Sequence, residues 1–584
     1  MTFSIPTSER SKIVTQMITP PLAKQPADWW KNEIIYEIYC RSFQDSNGDG
    51  IGDLQGIISR LDYLQELGVT ALWIAPVYRS PMVDMGYDIA AYQQIDPVYG
   101  TMADMDELLE QAQARGIKII MDMVLNHTSD QHPWFQAALQ DPTSKYRDYY
   151  VFQHPANGQV PNNWRATFGG STWEPVPNEP GTYYFHTFAT EQPDLNWENP
   201  ALRQELYRII NWWLDKGVAG FRLDAITQLK KDQDWASLPP DDDDGLVNVE
   251  RKGLNRPGLG QFLAELKAAT FSKYNAVTIG EAYGVPLEQL EEFVGPGGYF
   301  SMIFDFSYLN IDVQDANEWF KKNQWEVSDL AQTMFMSQQE IKKARGYFAN
   351  VIENHDQNRA VSKFIRTEDH DNPAAAKALA ALYFFLAGIP VIYQGQELGM
   401  TNFERSDLQE FNDLSSINNY QRALANGYRP NEALKIINFR SRDNARVPMP
   451  WDQTKFGGFS TVTPWLAPAA NNVVRNVAQQ RNDPASVWSF YQKLIRLRQD
   501  SHWEALWLEG EVVPVRTGED EMIVYQRRLK QQTVQIMINL SGKVQPLRQV
   551  VVGQLELDSL ATNGKPAAEI RDLQPYQVLI VTID

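Results

Sequence analysis

Short, predominantly apolar runs recur along this 584-residue chain at 34–40, 71–75, 117–124, 218–223, 277–280, 302–306, 348–352 and 391–393. Between them the apolar positions fall three and four apart, as at Ile57, Ile58, Leu61, Leu64 and Leu67. The same spacing recurs at Met105, Leu108, Leu109 and Ala112, and again at Leu206, Ile209, Ile210, Trp213 and Leu214. Runs without polar alternation suit strands buried on both faces, and the interleaved period suits helices packed against them. Strand–helix units repeated in this way predict a parallel α/β sheet, and their number predicts closure into a (β/α)8 TIM barrel. An open doubly wound sheet is the competing fold, but no glycine-rich phosphate loop follows the first run.

Two stretches break the rhythm. Residues 127–194 are rich in Trp, Tyr, Pro, Asn and Gly and lack helical periodicity; they are too long for a plain loop and predict an insert domain over the barrel mouth. Residues 399–484 form a second polar, aromatic excursion that lines the mouth. From residue 506 to 584 the pattern changes to short alternating strands at 511–515, 522–526, 534–539 and 578–583, which predicts a C-terminal antiparallel β domain of sandwich type. The barrel then comprises 29–126 and 195–505, after an N-terminal extension of residues 1–28. The acidic run 241–244 reads as a solvated loop.

Charge and composition narrow the function. A formal net charge of −20 repels phosphate backbones and disfavours nucleic acid as a partner. The single cysteine, Cys40, excludes an internal disulfide framework. No run of ~18 apolar residues offers a membrane span, and the first 28 residues hold no signal-peptide core, so a soluble, cytoplasmic protein is expected. The 17 Trp and 25 Tyr suit a ligand with flat apolar faces such as a sugar ring, as well as a large core.

In a barrel of this kind functional groups gather at strand carboxyl ends. Those ends carry Asp122, Asn126 and His127 after the third run, Arg222 and Asp224 after the fourth, Glu281 after the fifth, and His355 and Asp356 after the seventh. Side chains two apart share a strand face, so Arg222 is expected to hold Asp224 ionised and aimed. Acids and histidines converging on one rim point to chemistry rather than packing. Separately, Asp45, Asn47, Asp49, Ile51 (through its carbonyl) and Asp53 place oxygen donors at alternate positions of a glycine-rich turn. That pattern suits calcium, although the terminal Glu of an EF-hand is absent. The alternative is an Asx-rich turn that caps the next helix.

The strings Asp122-Met123-Val124-Leu125-Asn126-His127, Gly220-Phe221-Arg222-Leu223-Asp224, Gly280-Glu281-Ala282 and Glu353-Asn354-His355-Asp356 resemble the four signature regions of the α-amylase family of glycoside hydrolases. Gln192-Pro193-Asp194-Leu195-Asn196 resembles a fifth region of the oligo-1,6-glucosidase branch. Gly86-Tyr87-Asp88-Ile89 and Arg442-Asp443-Asn444-Ala445-Arg446 extend the match. The resemblance implies a retaining glucosidase with Asp224 as nucleophile, Glu281 as acid/base and Asp356 as transition-state stabiliser. It further implies sugar contacts from His127 and His355, an Asp88–Arg442 pair closing the pocket behind the non-reducing end, and a structural Ca2+ on the 45–53 loop. The substrate implied is a short oligosaccharide.

Ala225, after the nucleophile, differs from the Val of strict α-1,6 enzymes and is expected to leave room for α-1,4 bonds. Gln357-Asn358-Arg359 departs from the relatives' Asn-Pro-Arg on the acceptor side. A sucrose isomerase or dedicated glucosyltransferase on the same scaffold is the alternative. A non-catalytic transporter heavy chain or carbohydrate binder is disfavoured by the full acid set.

Overall fold

The computed structural model describes residues 27–583 except 157, 470, 472–474, 517–519 and 562–568. Nearly all of the N-terminal extension therefore lies outside the described residues. Eight parallel strands close into a barrel in the order of the chain. They are β1 (Ile35–Ile38), β2 (Ala71–Ile74), β3 (Lys118–Val124), β4 (Gly220–Asp224), β5 (Val277–Gly280), β6 (Met302–Phe304), β7 (Phe348–Asn350) and β8 (Ile389–Tyr393). Closure is visible at Ile35, which pairs with Ala71 on one side and Val391 on the other. β1, β2, β4, β5 and β8 are buried at every position, the physical basis of their predominantly apolar runs.

β6 and β7 end two residues before their apolar runs do, because burial continues into the rim after the last ladder bond. The packing between β4 and β5 requires Gly220: a Cβ there would meet the Val277 carbonyl oxygen at 2.0 Å.

The first helical pattern is two helices, α1 (Leu54–Ser59) and α2 (Leu61–Leu67), interrupted at Arg60. α3 (Met102–Ala114) starts from a capping box of Thr101 and Asp104. The stretch 127–194 does contain a helix, α4 (Pro133–Gln140), which buries only Phe135 and Ala138 and so leaves too short a period to read. Phe152–Gln153, Trp173–Pro175 and Tyr183–Phe185 form a three-stranded sheet beside it. The next helix, α5 (Pro200–Lys216), is capped by Asn199 and stopped by Gly217 at φ 110°, which turns the chain into β4.

The insert does not stand alone. Its Trp164–Arg165 pairs in parallel with Val247–Asn248 from the loop after β4, and Val247 and Val249 join Trp164, Trp173 and Phe185 in one apolar cluster. The acidic run is a largely exposed loop, as expected, and it is tied into that seam. Arg165 reaches Asp241 at 2.7 Å and Asp244 at 2.7 Å, while Arg422 reaches Asp242 at 3.1 Å and also Glu318.

The second excursion is built on a helical hairpin, α6 (Leu414–Ala425) and α7 (Pro430–Arg440), packed on Trp319 and Phe320. The C-terminal domain is a five-stranded sheet beside a two-stranded one. The strands Gln545–Val551, Gln554–Asp558 and Ile570–Leu573 escaped the sequence pattern because most of their side chains are exposed or half-exposed. Among the described residues no helix is long and apolar enough to cross a membrane.

Candidate active site

The carboxyl ends of β3, β4 and β5 meet on one guanidinium. Arg222 Nη1 donates to Asp122 Oδ1 at 3.0 Å and to Asp224 Oδ1 at 2.7 Å, and Nη2 lies 2.9 Å from Glu281 Oε2. The strand period puts Arg222 and Asp224 on one face, and parallel pairing sets Arg222 beside Asp122. Glu281 has a second anchor in the Ala225 amide, which donates to Oε2 at 2.9 Å. Ala225 has φ 45° and ψ 36°, a left-handed conformation that turns this amide toward the acid.

Arg222 does reach Asp224, but its one charge is divided among three carboxylates and does not keep Asp224 low. Burial pushes the Asp224 carboxyl well above the usual range, with Arg222 opposing it and Glu281, Asp122 and Asp356 adding to it. The Arg222–Asp224 pair is present as expected, and burial opposes the charged form that this pair favours.

Across the rim, His355 follows β7. Its Nδ1 lies 2.5 Å from Glu37 Oε1 on β1, its Nε2 lies 3.0 Å from Asp356 Oδ2 and 2.7 Å from the Tyr87 hydroxyl, and the ring stacks on Tyr87 at 5.4 Å. Burial disfavours the imidazolium, but Asp356 and Glu37 more than offset it and lift His355 to about 9. Burial likewise opposes charge on Asp356, yet His355, Arg442 and Arg446 hold its carboxyl well below the usual range. Both ring nitrogens of the fully buried His355 are engaged by protein, and through Nε2 it bonds Asp356.

The closing pair differs from expectation. Arg442 bridges Asp413 at 2.7 Å, Asp356 at 3.2 Å and Asp84 at 3.3 Å. Asp88, fully buried, instead accepts from the amides of Val83 (2.9 Å) and Asp84 (3.0 Å), and burial raises it to about 6. It therefore folds the turn that presents Asp84. The signal for Asp84 was its place just before Met85 and Gly86, whose φ values of 50° and 110° mark a tight reversal. Asp413 and Arg446 were also missed; Arg446 Nη2 meets Asp356 Oδ1 at 2.9 Å.

His127 is on the cavity wall as expected. Burial lowers it to about 4, so it is neutral, and its Nε2 lies 3.0 Å from Gln192 Nε2.

Asp84, Tyr87, His127, Asp224, Glu281, Asp356 and Arg442 line one cavity of about 230 Å³, small beside the ~300–1,000 Å³ usual for ligand pockets. Its lining includes the group tied together around Arg442 (Asp84, Tyr87, His127, Phe168 and Asp356), the acids Asp224 and Glu281, and a second group around Glu250 (Tyr283, Asn310, Asn317 and Trp319).

The 45–53 turn lies apart from this cavity. Asp45 accepts from the amides of Asn47 (3.1 Å), Gly48 (2.7 Å) and Gly50 (2.9 Å) and from Ser460 Oγ (2.6 Å). Asp49 Oδ1 accepts from the Ile51 amide at 2.8 Å, and Asn47 Oδ1 from the Asp49 amide at 2.9 Å. Asp53 is committed to Ser46 and to the Gly56 amide at 2.6 Å, capping α1. Among the described residues no three His, Cys, Asp or Glu side chains converge to hold a metal ion.

The profile of the family described as "Alpha amylase, catalytic domain" matches residues 37–506. The chain is 42% identical over 473 residues to an oligo-1,6-glucosidase of Parageobacillus thermoglucosidasius, covering 81% of this chain and 84% of that one. It is 38% identical over 558 residues to a glucan 1,6-alpha-glucosidase of Streptococcus pneumoniae, covering 95% and 99%. Among solved structures it is similar to isomaltulose synthase from a Klebsiella species, with a TM-score of 0.89 at 34% identity over 95% of this chain and 99% of that one.

Proposed function

We propose, from the premise that this chain belongs to the alpha-amylase family, that it is a retaining, exo-acting α-glucosidase releasing glucose from the non-reducing end of short α-glucosides. The observation that carries this reading is one guanidinium gripping both Asp224 and Glu281 on the wall of a cavity that Arg442 also lines.

Asp224 attacks the anomeric carbon as the C–O bond breaks, and Glu281 gives its proton to the departing oxygen. Water, deprotonated by Glu281, then releases the glucosyl group from Asp224. Two carboxyls serving one retaining centre lie ~5–5.5 Å apart. Asp224 has to lose its proton before it attacks, and Arg222 is the contact that favours the charged form. Asp356, kept anionic by His355, Arg442 and Arg446, favours the positive charge that develops on the sugar ring. Asp84 and Arg442 seat the non-reducing end; with no way past them, cleavage is confined to the terminal unit.

Linkage follows from Ala225, whose small side chain suits α-1,4 as well as α-1,6 bonds, while the relatives' names point to α-1,6. A second reading, transfer of the glucosyl group to a sugar as in isomaltulose synthase, rests on the structural likeness and uses the same intermediate.

The all-oxygen set of Asp45, Asn47, Asp49 and the Ile51 carbonyl suits Ca2+ chemically, and we include a structural calcium there. A rise in melting temperature with added Ca2+ and a fall with chelator supports it; identical melting curves remove it. Cytoplasmic residence belongs to the same reading, supported by the buried, unpaired Cys40.

The test is the product profile over time on maltose, isomaltose, sucrose, isomaltulose and trehalose, with Asp224→Asn in parallel. Glucose from maltose or isomaltose, lost in the variant, is the expected result. Undiminished turnover by Asp224→Asn, or no glucose from any substrate, overturns the proposal.

A further inference from the structure

We propose that Glu250 is a specificity-determining residue that holds the hydroxyls of the leaving sugar, outside the catalytic set. The inference rests on the glucosidase reading above and deepens it. Glu281 delivers its proton to the departing oxygen, so the aglycone lies on the outward side of that acid. Two residues further along, Tyr283 continues the same wall, tied to the loop after β4 by Thr227 Oγ1 donating to its carbonyl at 2.9 Å. Tyr283 and Glu250 are close enough to feel each other's charge. Glu281, Tyr283 and Glu250 thus line one cavity, with Tyr283 within range of Glu250.

Glu250 differs from the carboxylates at the closed end. Its backbone is fixed, with the amide donating to Asn248 Oδ1 at 2.9 Å at the start of the short helix Glu250–Gly253. Its carboxyl, by contrast, accepts one long hydrogen bond, 3.3 Å from Asn317 Nδ2, and makes no ion pair among the described residues. Burial and the charge of Asp315 raise it to about 7, against the Asn317 hydrogen bond and, less, Arg251. A half-buried carboxyl with most of its accepting capacity unused by protein is open to donors from a ligand that displaces water.

A second sugar supplies them. Adjacent hydroxyls of a pyranose match the two oxygens of one carboxyl, and the neighbouring Asn310 and Asn317 carry both donors and acceptors. The ligand class is thus a polyhydroxylated aglycone. An aryl or alkyl aglycone brings no hydroxyls and leaves Glu250 unmatched. A site built to bond hydroxyls discriminates strongly against a ligand lacking them, because its own polar group is then left unpaired.

The experiment compares kcat/KM for isomaltose and maltose with that for 4-nitrophenyl α-glucoside, in wild type, Glu250→Gln and Glu250→Ala. Gln keeps the shape and the reach to Asn317, so it guards against a variant that merely packs badly. The disaccharide-to-aryl ratio is expected to drop by about 10- to 100-fold in Ala, and by less in Gln. Transfer to added glucose should weaken in step. A ratio that stays at the wild-type value in both variants, whether or not overall activity falls, overturns the assignment. Wild-type protein that cleaves neither substrate overturns the glucosidase reading itself, and this proposal with it.

Discussion

The two ends proposed for the cavity, the closed one around Arg442 and the open one around Glu250, are built on opposite principles. At the closed end every charged group is multiply held: Arg442 by three carboxylates, Asp356 by two arginines and a histidine, His355 by Glu37, Asp356 and Tyr87. At the open end Glu250 has one long contact and Tyr283 is partly exposed. Dense, charge-assisted bonding fixes positions before the ligand arrives, which suits a group that must be seated the same way at every turnover. Sparse bonding leaves capacity for a partner that varies. Rigidity marks the unit always recognised, and looseness marks the unit exchanged.

The largest test of this contrast removes what both ends serve. Asp224→Asn should lower kcat by on the order of 10⁴-fold or more on any substrate; a loss confined to disaccharides would mean the two ends are not sharing one centre. Next comes Arg442→Met, which leaves Asp84, Asp356 and Asp413 without their common cation. Uncompensated buried charge costs about 3–5 kcal/mol, and a cost of that size at the glucose seat corresponds to a fall in kcat/KM for an aryl α-glucoside of about 100- to 5,000-fold. Parity with wild type on that substrate would show that the closed end is not the glucose seat.

pH separates the ends further. His355 is lifted from 6.5 to about 9 in the fold, so its ion pairs stabilise the protein fully below about 6.5, and that contribution is lost as pH rises through about 9. The melting midpoint of wild type should exceed that of His355→Gln in acid and neutral buffer, with the gap closing above about 9. A gap independent of pH would rule out the charged imidazole. In the activity profile, ionisation of Asp224 sets an acid limb above the ~3.9 of an ordinary Asp, because its carboxyl is raised.

Ala225→Val is subtler. A β-branched residue at φ 45° is strained whatever the substrate, so absolute rates fall; the informative quantity is the maltose-to-isomaltose ratio, expected to drop. Smallest of all, Arg165→Gln should cost only about 1 kcal/mol at low salt and less at high salt, since Asp241 and Asp244 remain partly exposed. Equal losses at both ionic strengths would place the effect in packing instead.

How much of this the chain announces follows from where each group resides. Barrel strands are legible because burial on both faces leaves predominantly apolar runs, and strand ends then locate Asp122, Arg222, Asp224, Glu281 and Asp356 on one rim. Asp84, Asp413, Arg446 and Glu250 arrive on loops, whose paths no periodicity encodes. Asp88 drew attention by its motif while the neighbouring turn delivered Asp84. α6 and α7 lay hidden in a polar stretch, since they bury few large apolar side chains. The elevated Asp224 was beyond sequence reasoning for another reason: its sign depends on how many acids share one arginine, which only the assembled rim determines.

The seam between Arg165 and the acidic run joins segments separated by 76 positions in the chain. Two stretches encoded far apart are thereby obliged to change together. Grafting this insert onto a sibling barrel without its aspartates would strand a buried guanidinium, and carrying the aspartates alone would leave a cluster of repelling acids at the door. Recombination between relatives should therefore succeed when its crossovers keep 163–249 as a single inherited block.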